Sequence, residues 1–217
     1  MKIFLVIPAF NEQGRLEKVI SKAQKYIPGK NIIVVDDGSR TPVRLSGVIV
    51  LRHVVNLGKG AAMKTGADYA FGQNADAVIF MDSDGQHDPT ELPKFVTHLS
   101  SGYDLVFGSR RMPLQTPIVR LLGNKTASIY INLVFGIYVS DILSGFRAIT
   151  KKAYLVVKWV SPRYGVETEM VARLGKHKNR LKYIEFPIET IYIDKYKGLT
   201  IIDAVKIFVS SIWWKLF

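Results

Sequence analysis

The sequence predicts an α/β protein with a mostly parallel central sheet flanked by helices on both faces. Three observations predict it. Continuous apolar runs of strand length recur between Lys2 and Phe107, without the polar alternation of half-exposed strands. Segments with apolar residues at helical spacing separate them. The polar residues suited to chemistry follow the strand ends, and in a parallel sheet those ends share one edge.

The elements follow in order. Lys2–Ile7 reads as a strand that stops at Pro8. Glu12 to Tyr26 places Leu16, Val19, Ile20 and Ala23 on one helical face. Asn31–Val35 is a second strand, ending at Asp36–Asp37–Gly38–Ser39, and Val48–Leu51 a third. Lys59 to Phe71 reads as a helix entered from Asn56–Leu57–Gly58. Ala77–Met81 is the fourth strand, and a helix from Pro89 to Leu99 opens with proline in its first turn, where the missing N–H costs nothing. Leu105–Phe107 is a fifth strand before Gly108–Ser109–Arg110–Arg111. Beyond it, Pro117 to Tyr138 is a long apolar helix, Ser140–Arg147 a loop leading into a buried strand, Val166 to Leu174 a helix and Leu181–Phe186 a strand. With no repeat and no low-complexity linker, residues 1–199 read as one domain, followed by an amphipathic helix over 200–217.

Composition narrows the function. The chain of 217 residues is 48% hydrophobic, enough for a sizeable core. It has no cysteine, which excludes disulfides, thiolate zinc sites and a cysteine nucleophile. The net charge of +12 favours anionic partners. Nucleic acid is not expected among them, because the aromatic residues sit in apolar periodic segments rather than among basic ones. The densest basic run, Arg173 to Lys182, reads as a solvated helix end. No leader is expected, since Lys2 is followed by only a short apolar run, and no run approaches the ~18 apolar residues of a bilayer span. From Thr200 to Phe217, Asp203, Lys206, Ser210 and Lys215 fall near one stripe and the rest is broadly apolar. A core position or a dimer interface fits that pattern, but the terminal Trp213–Trp214–Lys215 favours a membrane surface.

The most informative segment is Ala77 to Pro89, an apolar run that ends in Asp82 and Asp84. Two residues apart on extended chain, these carboxylates point the same way and need a cation between them, or one must be protonated. Oxygen ligands of this kind suit Mg²⁺ or Mn²⁺. An acidic turn after a strand is the competing reading. Gly58–Lys59–Gly60 lacks the spacing of a phosphate-binding P-loop, and the four histidines show no metal-ligand spacing.

Six motifs carry a resemblance: Ile7–Pro8–Ala9–Phe10–Asn11–Glu12, Val34–Val35–Asp36–Asp37–Gly38–Ser39, Asn56 to Ala62, Met81 to Pro89, Gly108–Ser109–Arg110 and Ser144–Gly145–Phe146–Arg147. In this order they resemble the inverting nucleotide-sugar glycosyltransferases of family 2, with the GT-A (nucleotide-diphospho-sugar transferase, Rossmann-like) fold. Within it they are most similar to the dolichol-phosphate mannose synthase group, beside the polyprenyl-phosphate glucosyltransferases.

The resemblance implies roles. Pro8, Phe10, Glu12 and Asp36, with Asp37 nearby, would line the nucleotide site, where the family usually has Tyr in place of Phe10. Lys59, Asp82 and Lys197 would meet the nucleotide sugar. Asp82, Asp84 and Gln86 match the metal positions. Asp84, Arg110 and Arg147 would be the catalytic set, and Arg110, Lys125, Ser128 and Arg147 the acceptor-phosphate set. In the segment Asp194 to Thr200 lysines stand where the family has arginines, so Lys195 or Lys197 would act as a point charge rather than a fork.

The implied function is transfer of a hexose from a nucleotide diphosphate sugar, GDP-mannose or UDP-glucose, to a polyprenyl phosphate. The enzyme would use Mg²⁺ or Mn²⁺ and sit peripherally at the cytoplasmic face of a membrane. Chemistry agrees: a phosphate acceptor is already anionic near neutral pH and needs no base. A hydroxyl acceptor would need one, with Asp141, Glu167 and Glu169 as candidates. Glu167 and Glu169 read rather as partners of nearby Arg or Lys. A nucleotidylyltransferase is disfavoured by the lack of a glycine-rich triphosphate loop near the start of the chain.

Overall fold

A computed structural model of the chain describes residues 1–111, 118–163, 165–191 and 201–216. Seven strands form one sheet: β1 (Ile3–Ala9), β2 (Ile32–Asp36), β3 (Ile49–Arg52), β4 (Ala77–Phe80), β5 (Leu105–Arg110), β6 (Arg147–Thr150) and β7 (Tyr183–Ile188). Their order is β3-β2-β1-β4-β6-β5-β7. All pairings are parallel except those of β6, which runs antiparallel to both β4 and β5. The expected parallel α/β sheet is present, with one reversed strand that the sequence did not reveal.

The helices are α1 (Gln13–Ala23), α2 (Lys59–Gly72), α3 (Leu92–Ser100), α4 (Ile118–Phe135), α5 (Lys151–Val157), α6 (Val166–Lys176) and α7 (Ile201–Leu216). Strand residues alternate between two cores because successive side chains point to opposite faces. Phe4, Val6, Ile33, Val35, Val78 and Phe80 pack against α2, α5 and α6, with Ile131 and Phe135 of α4 and Trp214 of α7 in the same layer. Leu5, Ile7, Ile32, Val34 and Ile79 pack against α1 and α3. Both faces are covered, so the strands carry apolar residues on both sides.

Two packing details fix what comes next. A Cβ on Gly66 would collide with the side chain of Val6, so α2 lies directly on β1 and β2. The helix expected to reach Tyr138 ends at Phe135, because Gly136 turns left-handed at φ +67° and donates to the Asn132 carbonyl at 2.8 Å. Among the described residues no helix is long and apolar enough to cross a membrane.

The chain proceeds from β1 outward through β2 to β3, then returns to β4 on the other flank of β1. That reversal is the switch point where open α/β sheets form a ligand crevice. β4 pairs only with Ile3–Val6 of β1, so Pro8, which has no N–H, lies past the end of that ladder.

Candidate functional site

The crevice is built by the ends of β1, β2, β4 and β5 and by the start of β6. Because β6 is antiparallel, its first residue, Arg147, is level with Phe80 at the end of β4. Thus Asp82, Asp84, Gln86, Arg110 and Arg147 reach one edge of the sheet.

The acidic pair has a different local cause from the one expected. β4 stops at Phe80, and residues 83–85 form a turn with Gly85 at φ +78°. Asp84 and Asp82 therefore approach through a turn, not along extended chain. Asp84 Oδ1 accepts the Gln86 N–H at 3.0 Å. Asp82 Oδ1 meets Lys59 Nζ at 2.6 Å, and the same ammonium meets Glu167 Oε1 of α6 at 2.8 Å. Burial alone would raise the Asp82 carboxyl, yet the Lys59 ammonium, by charge and hydrogen bond, and the Arg110 charge hold it down at about 2. Asp84 moves the other way: burial and the neighbouring Asp82 charge raise it above the usual carboxylate range. Burial opposes the Lys59 ammonium, but Asp82 and Glu167 keep it above its ordinary value.

His87 is 4% exposed and lies against Phe146, with ring centroids 5.0 Å apart. Its Nδ1 accepts the Asp82 N–H at 3.2 Å, so the ring is neutral with its proton on Nε2. Burial lowers it to about 4, and Lys59 and Arg110 add to the shift against the pull of Asp82. His87 fills the turn beneath the acidic pair.

Arg110 and Arg147 are held in opposite ways. Arg110 Nε and Nη2 bind Asp141 Oδ2 and Oδ1 at 2.7 and 2.8 Å, a two-point grip. Asp141 also accepts the Arg110 N–H and the Asn124 amide of α4. Glu185 of β7 fixes the loop by accepting the N–H groups of Ser140 and Asp141. Arg147 is 1% exposed and spends its guanidinium on the carbonyls of Ile142, Ser144 and Glu167. It stands beneath the crevice as a pillar, not at its surface. Ser128 is likewise buried and donates to the Ser140 carbonyl at 3.3 Å, whereas Lys125 is exposed on α4.

On the other flank, the residues expected to line a nucleotide divide into two groups. A cleft of about 460 Å³ is lined by Asn11, Glu12, Gly14, Ser39, Arg40, Thr41 and Val43. Phe10, 46% exposed, stands at the end of β1. Asn11, at φ +56°, ties the two loops together: its N–H donates to Ser39 Oγ, and its side-chain oxygen accepts the Arg40 N–H. Pro8 is enclosed in β1. Asp36 is fully buried and bonds to Ser39 N, Val43 N and Arg52. Burial would raise its carboxyl, but those donors and Arg52 hold it low. Asp37, 3% exposed, accepts the N–H groups of Leu57 and Gly58 at 2.9 and 2.8 Å. Both acids thus shape the loops around the cleft from within.

At the start of α2 the Ala61 N–H is taken by the Pro162 carbonyl at 2.9 Å, so this donor is not open to an anion. Of the three candidate bases, Asp141 holds Arg110, Glu167 pairs with Lys59, and Glu169 binds Arg173 and the N–H groups of Val160 and Ser161. Glu167 pairs with a lysine as expected, though the partner, Lys59, is distant in the chain, and Glu185 was not expected as a site support. Their partners lie far away in the chain, and no local pattern announces them. Lys197 and the segment Asp194–Thr200 lie outside the described residues.

The chain is similar to known proteins in sequence and in fold. The family model described as "Glycosyl transferase family 2" matches residues 4–155. The UDP-N-acetylglucosamine–dolichyl-phosphate N-acetylglucosaminyltransferase of Methanococcus voltae is 31% identical, over 99% of this chain and 96% of its own. The undecaprenyl-phosphate mannosyltransferase of Micrococcus luteus is 30% identical, over 87% of this chain and 83% of its own. The crystal structure of glucosyl-3-phosphoglycerate synthase from Mycobacterium tuberculosis with Mg²⁺ and UDP superposes with a TM-score of 0.76. It does so at 21% identity, over 99% of this chain and 79% of that one, and a further structure of that enzyme holds Mn²⁺ with UDP. The matched model spans well over half of the chain, and the chain belongs to glycosyl transferase family 2, as a glycosyltransferase with the GT-A fold.

Proposed function

We propose that this glycosyltransferase moves a hexose from a nucleotide diphosphate sugar, GDP-mannose or UDP-glucose, to a polyprenyl phosphate, with inversion at the anomeric carbon. One observation carries the reading: at the switch point, two carboxylates stand close together beside two cations, Lys59 and Arg110. The acidic pair fits a divalent cation. Asp82 already holds a stand-in cation, the Lys59 ammonium, while Asp84 has no ion-pair partner among the described residues and has its carboxyl raised by burial and the Asp82 charge. Asp82, Asp84 and Gln86 would hold Mg²⁺ or Mn²⁺, which would offset charge on the departing diphosphate.

The chain's own residues do the rest. Lys59 turns its ammonium from Asp82 to the diphosphate, adding a positive charge where negative charge develops. Phe10 and the cleft beside Glu12 and Arg40 take the nucleoside. Arg110, aimed by Asp141, draws in the acceptor phosphate, with Lys125 at the entrance. Arg147 and Ser128 hold the floor and wall of that side, and Lys197 is assigned to the donor by resemblance alone. All three candidate bases are engaged by cations, which supports an acceptor that needs no base.

The outer faces of α4 and α7 expose Ile129, Leu133, Phe208, Val209, Ile212 and Trp213, with Lys125 and Lys215 alongside. Tyr130 of α4 and Phe208 of α7 are in ring contact at 5.1 Å, so the two faces adjoin. This supports a peripheral seat on the cytoplasmic face of a membrane, where a lipid acceptor lies.

The test incubates the purified protein with Mn²⁺ or Mg²⁺, a short polyprenyl phosphate and labelled sugar nucleotides, with Asp84→Ala as control. Metal-dependent sugar transfer into the organic phase, lost in the variant, is the expected result. Transfer to soluble saccharides without lipid product would overturn the acceptor.

A further inference from the structure

Behind Lys59 runs a chain of three polar side chains from three elements. They are Asp37 after β2, His53 after β3 and Thr65 in the second turn of α2. His53 Nδ1 lies 2.7 Å from Asp37 Oδ1, and its Nε2 lies 2.9 Å from Thr65 Oγ1. A carboxylate only accepts, so Asp37 takes the Nδ1–H; in the neutral ring, Nε2 then accepts from the Thr65 hydroxyl. The two acidic-end partners are nearly enclosed, with side chains 10% (His53) and 4% (Asp37) exposed.

The same carboxylate accepts the N–H groups of Leu57 and Gly58, the two residues before Lys59. Gly58 caps α2 at φ +105° and provides no side-chain cap, so Asp37 stabilises this helix start from outside. Further along, Gly66 seats α2 on Val6 and Val35. The body of the helix is thus fixed by packing; its first turn is held on one side by the Pro162 carbonyl on Ala61 N–H and the Trp159 indole on the Gly60 carbonyl, and its entry by Asp37 at the end of this chain of hydrogen bonds. The residue that this turn presents is Lys59.

We propose that Asp37, His53 and Thr65 form a positioning relay that sets the first turn of α2, and with it the approach of Lys59 to the donor diphosphate. The proposal rests on the reading above that Lys59 meets that diphosphate. His53 and Thr65 act through Lys59, as positioning residues without contact to substrate.

The test is calorimetric titration of the whole protein with GDP and with UDP in the presence of Mn²⁺, with GMP and UMP as reference ligands. Lys59→Ala is expected to weaken diphosphate binding about tenfold, the size of one charge-assisted contact. His53→Ala and Thr65→Val are expected to weaken it about three- to tenfold while monophosphate binding stays within about twofold. The double variant Lys59→Ala/His53→Ala should bind no more weakly than Lys59→Ala alone, since both changes remove one interaction. His53→Asn, whose amide can replace the Nδ1–H donor to Asp37, should recover most of the loss.

Losses that add in the double variant, or that fall equally on monophosphates, would make the three residues merely structural and overturn the relay. Wild-type diphosphate affinity in both His53→Ala and Thr65→Val, with Lys59→Ala weakened, overturns it too. Wild-type affinity in Lys59→Ala instead sinks the donor reading itself. If His53→Ala does not fold, Thr65→Val and His53→Asn carry the same comparison.

Discussion

Gly145 lies so close beneath Asp82 that a Cβ on it would sit 2.5 Å from one carboxylate oxygen and 2.7 Å from the other. It would also come within 2.7 Å of Lys59 Nζ. Real side chains do not tolerate such distances, so Gly145→Ala must push Asp82 and Lys59 aside. We expect activity to fall by about a hundredfold, in line with misplacement of a reacting group, while the fold loses only about 1–3 kcal/mol. Steady-state rates and chemical denaturation of the same preparation check both halves.

Arg147 and Arg110 should fail differently. Removing the Arg147 guanidinium strips partners from three buried carbonyls, so Arg147→Met is expected to cost about 3 kcal/mol or more of stability. Arg110→Met leaves Asp141 without its two-point partner but sits partly exposed, so its loss should appear mainly as a raised KM for the polyprenyl phosphate. Denaturation midpoints beside acceptor saturation curves separate the two. Equal stability losses with equal KM values would overturn the assignment of pillar and contact.

The acidic pair makes an opposed prediction for fold and function. A carboxyl whose folded value lies above its unfolded one disfavours folding once pH exceeds the unfolded value. Asp84 is such a group, so Asp84→Asn should raise the melting temperature of the metal-free protein at pH 7 by about 1–3 °C. The same change should abolish stabilisation by added Mn²⁺. Thermal melts with and without Mn²⁺ read both effects.

His87 gives the protein an acid-sensitive window. Its folded value is about 4, below the ordinary imidazole value of 6.5, so between these pH values the unfolded chain binds more protons. Stability therefore falls as pH drops through that window, by up to about 1.4 kcal/mol per pH unit from this one group. His87→Phe should flatten the dependence there while the acid limb near pH 2, set by Asp82, remains. Denaturation at pH 7, 6, 5 and 4 is the measurement.

The apolar outer faces of α4 and α7 carry the fifth expectation. Replacing Leu133 and Trp213 by Asp should reduce cosedimentation with anionic lipid vesicles at least about tenfold and leave the far-UV spectrum unchanged. Undiminished binding would remove these helices from the membrane reading.

Much of this was legible in the chain and some was not. The apolar runs announced β1, β2 and β4, because a strand buried on both faces needs apolar residues at every position. They also put Asp82, Asp84 and Arg110 at strand ends. The four residues of β6 read the same in either direction, so its reversal was hidden, and α5 is too short for its period to stand out. Whether an arginine faces a ligand or the interior depends on distant carbonyls. Nothing near Arg147 in the sequence told that Glu167 would supply one of them. Asp36 and Asp37 were visible as an acidic pair, but their turn inward depends on Val43, Arg52, His53 and Gly58, which only the fold brings near.

The reversed strand β6 divides the sheet into two flanks. On one flank lie β1 to β4 with the cleft at Glu12 and the acidic turn; on the other lie β5 and β7 with Arg110, Asp141 and Glu185. Each flank keeps its own parallel ladder, and they meet at a strand four residues long. Under the proposed function, the leaving nucleotide and the recipient would be met by separate stretches of chain, each resting on its own ladder of the sheet.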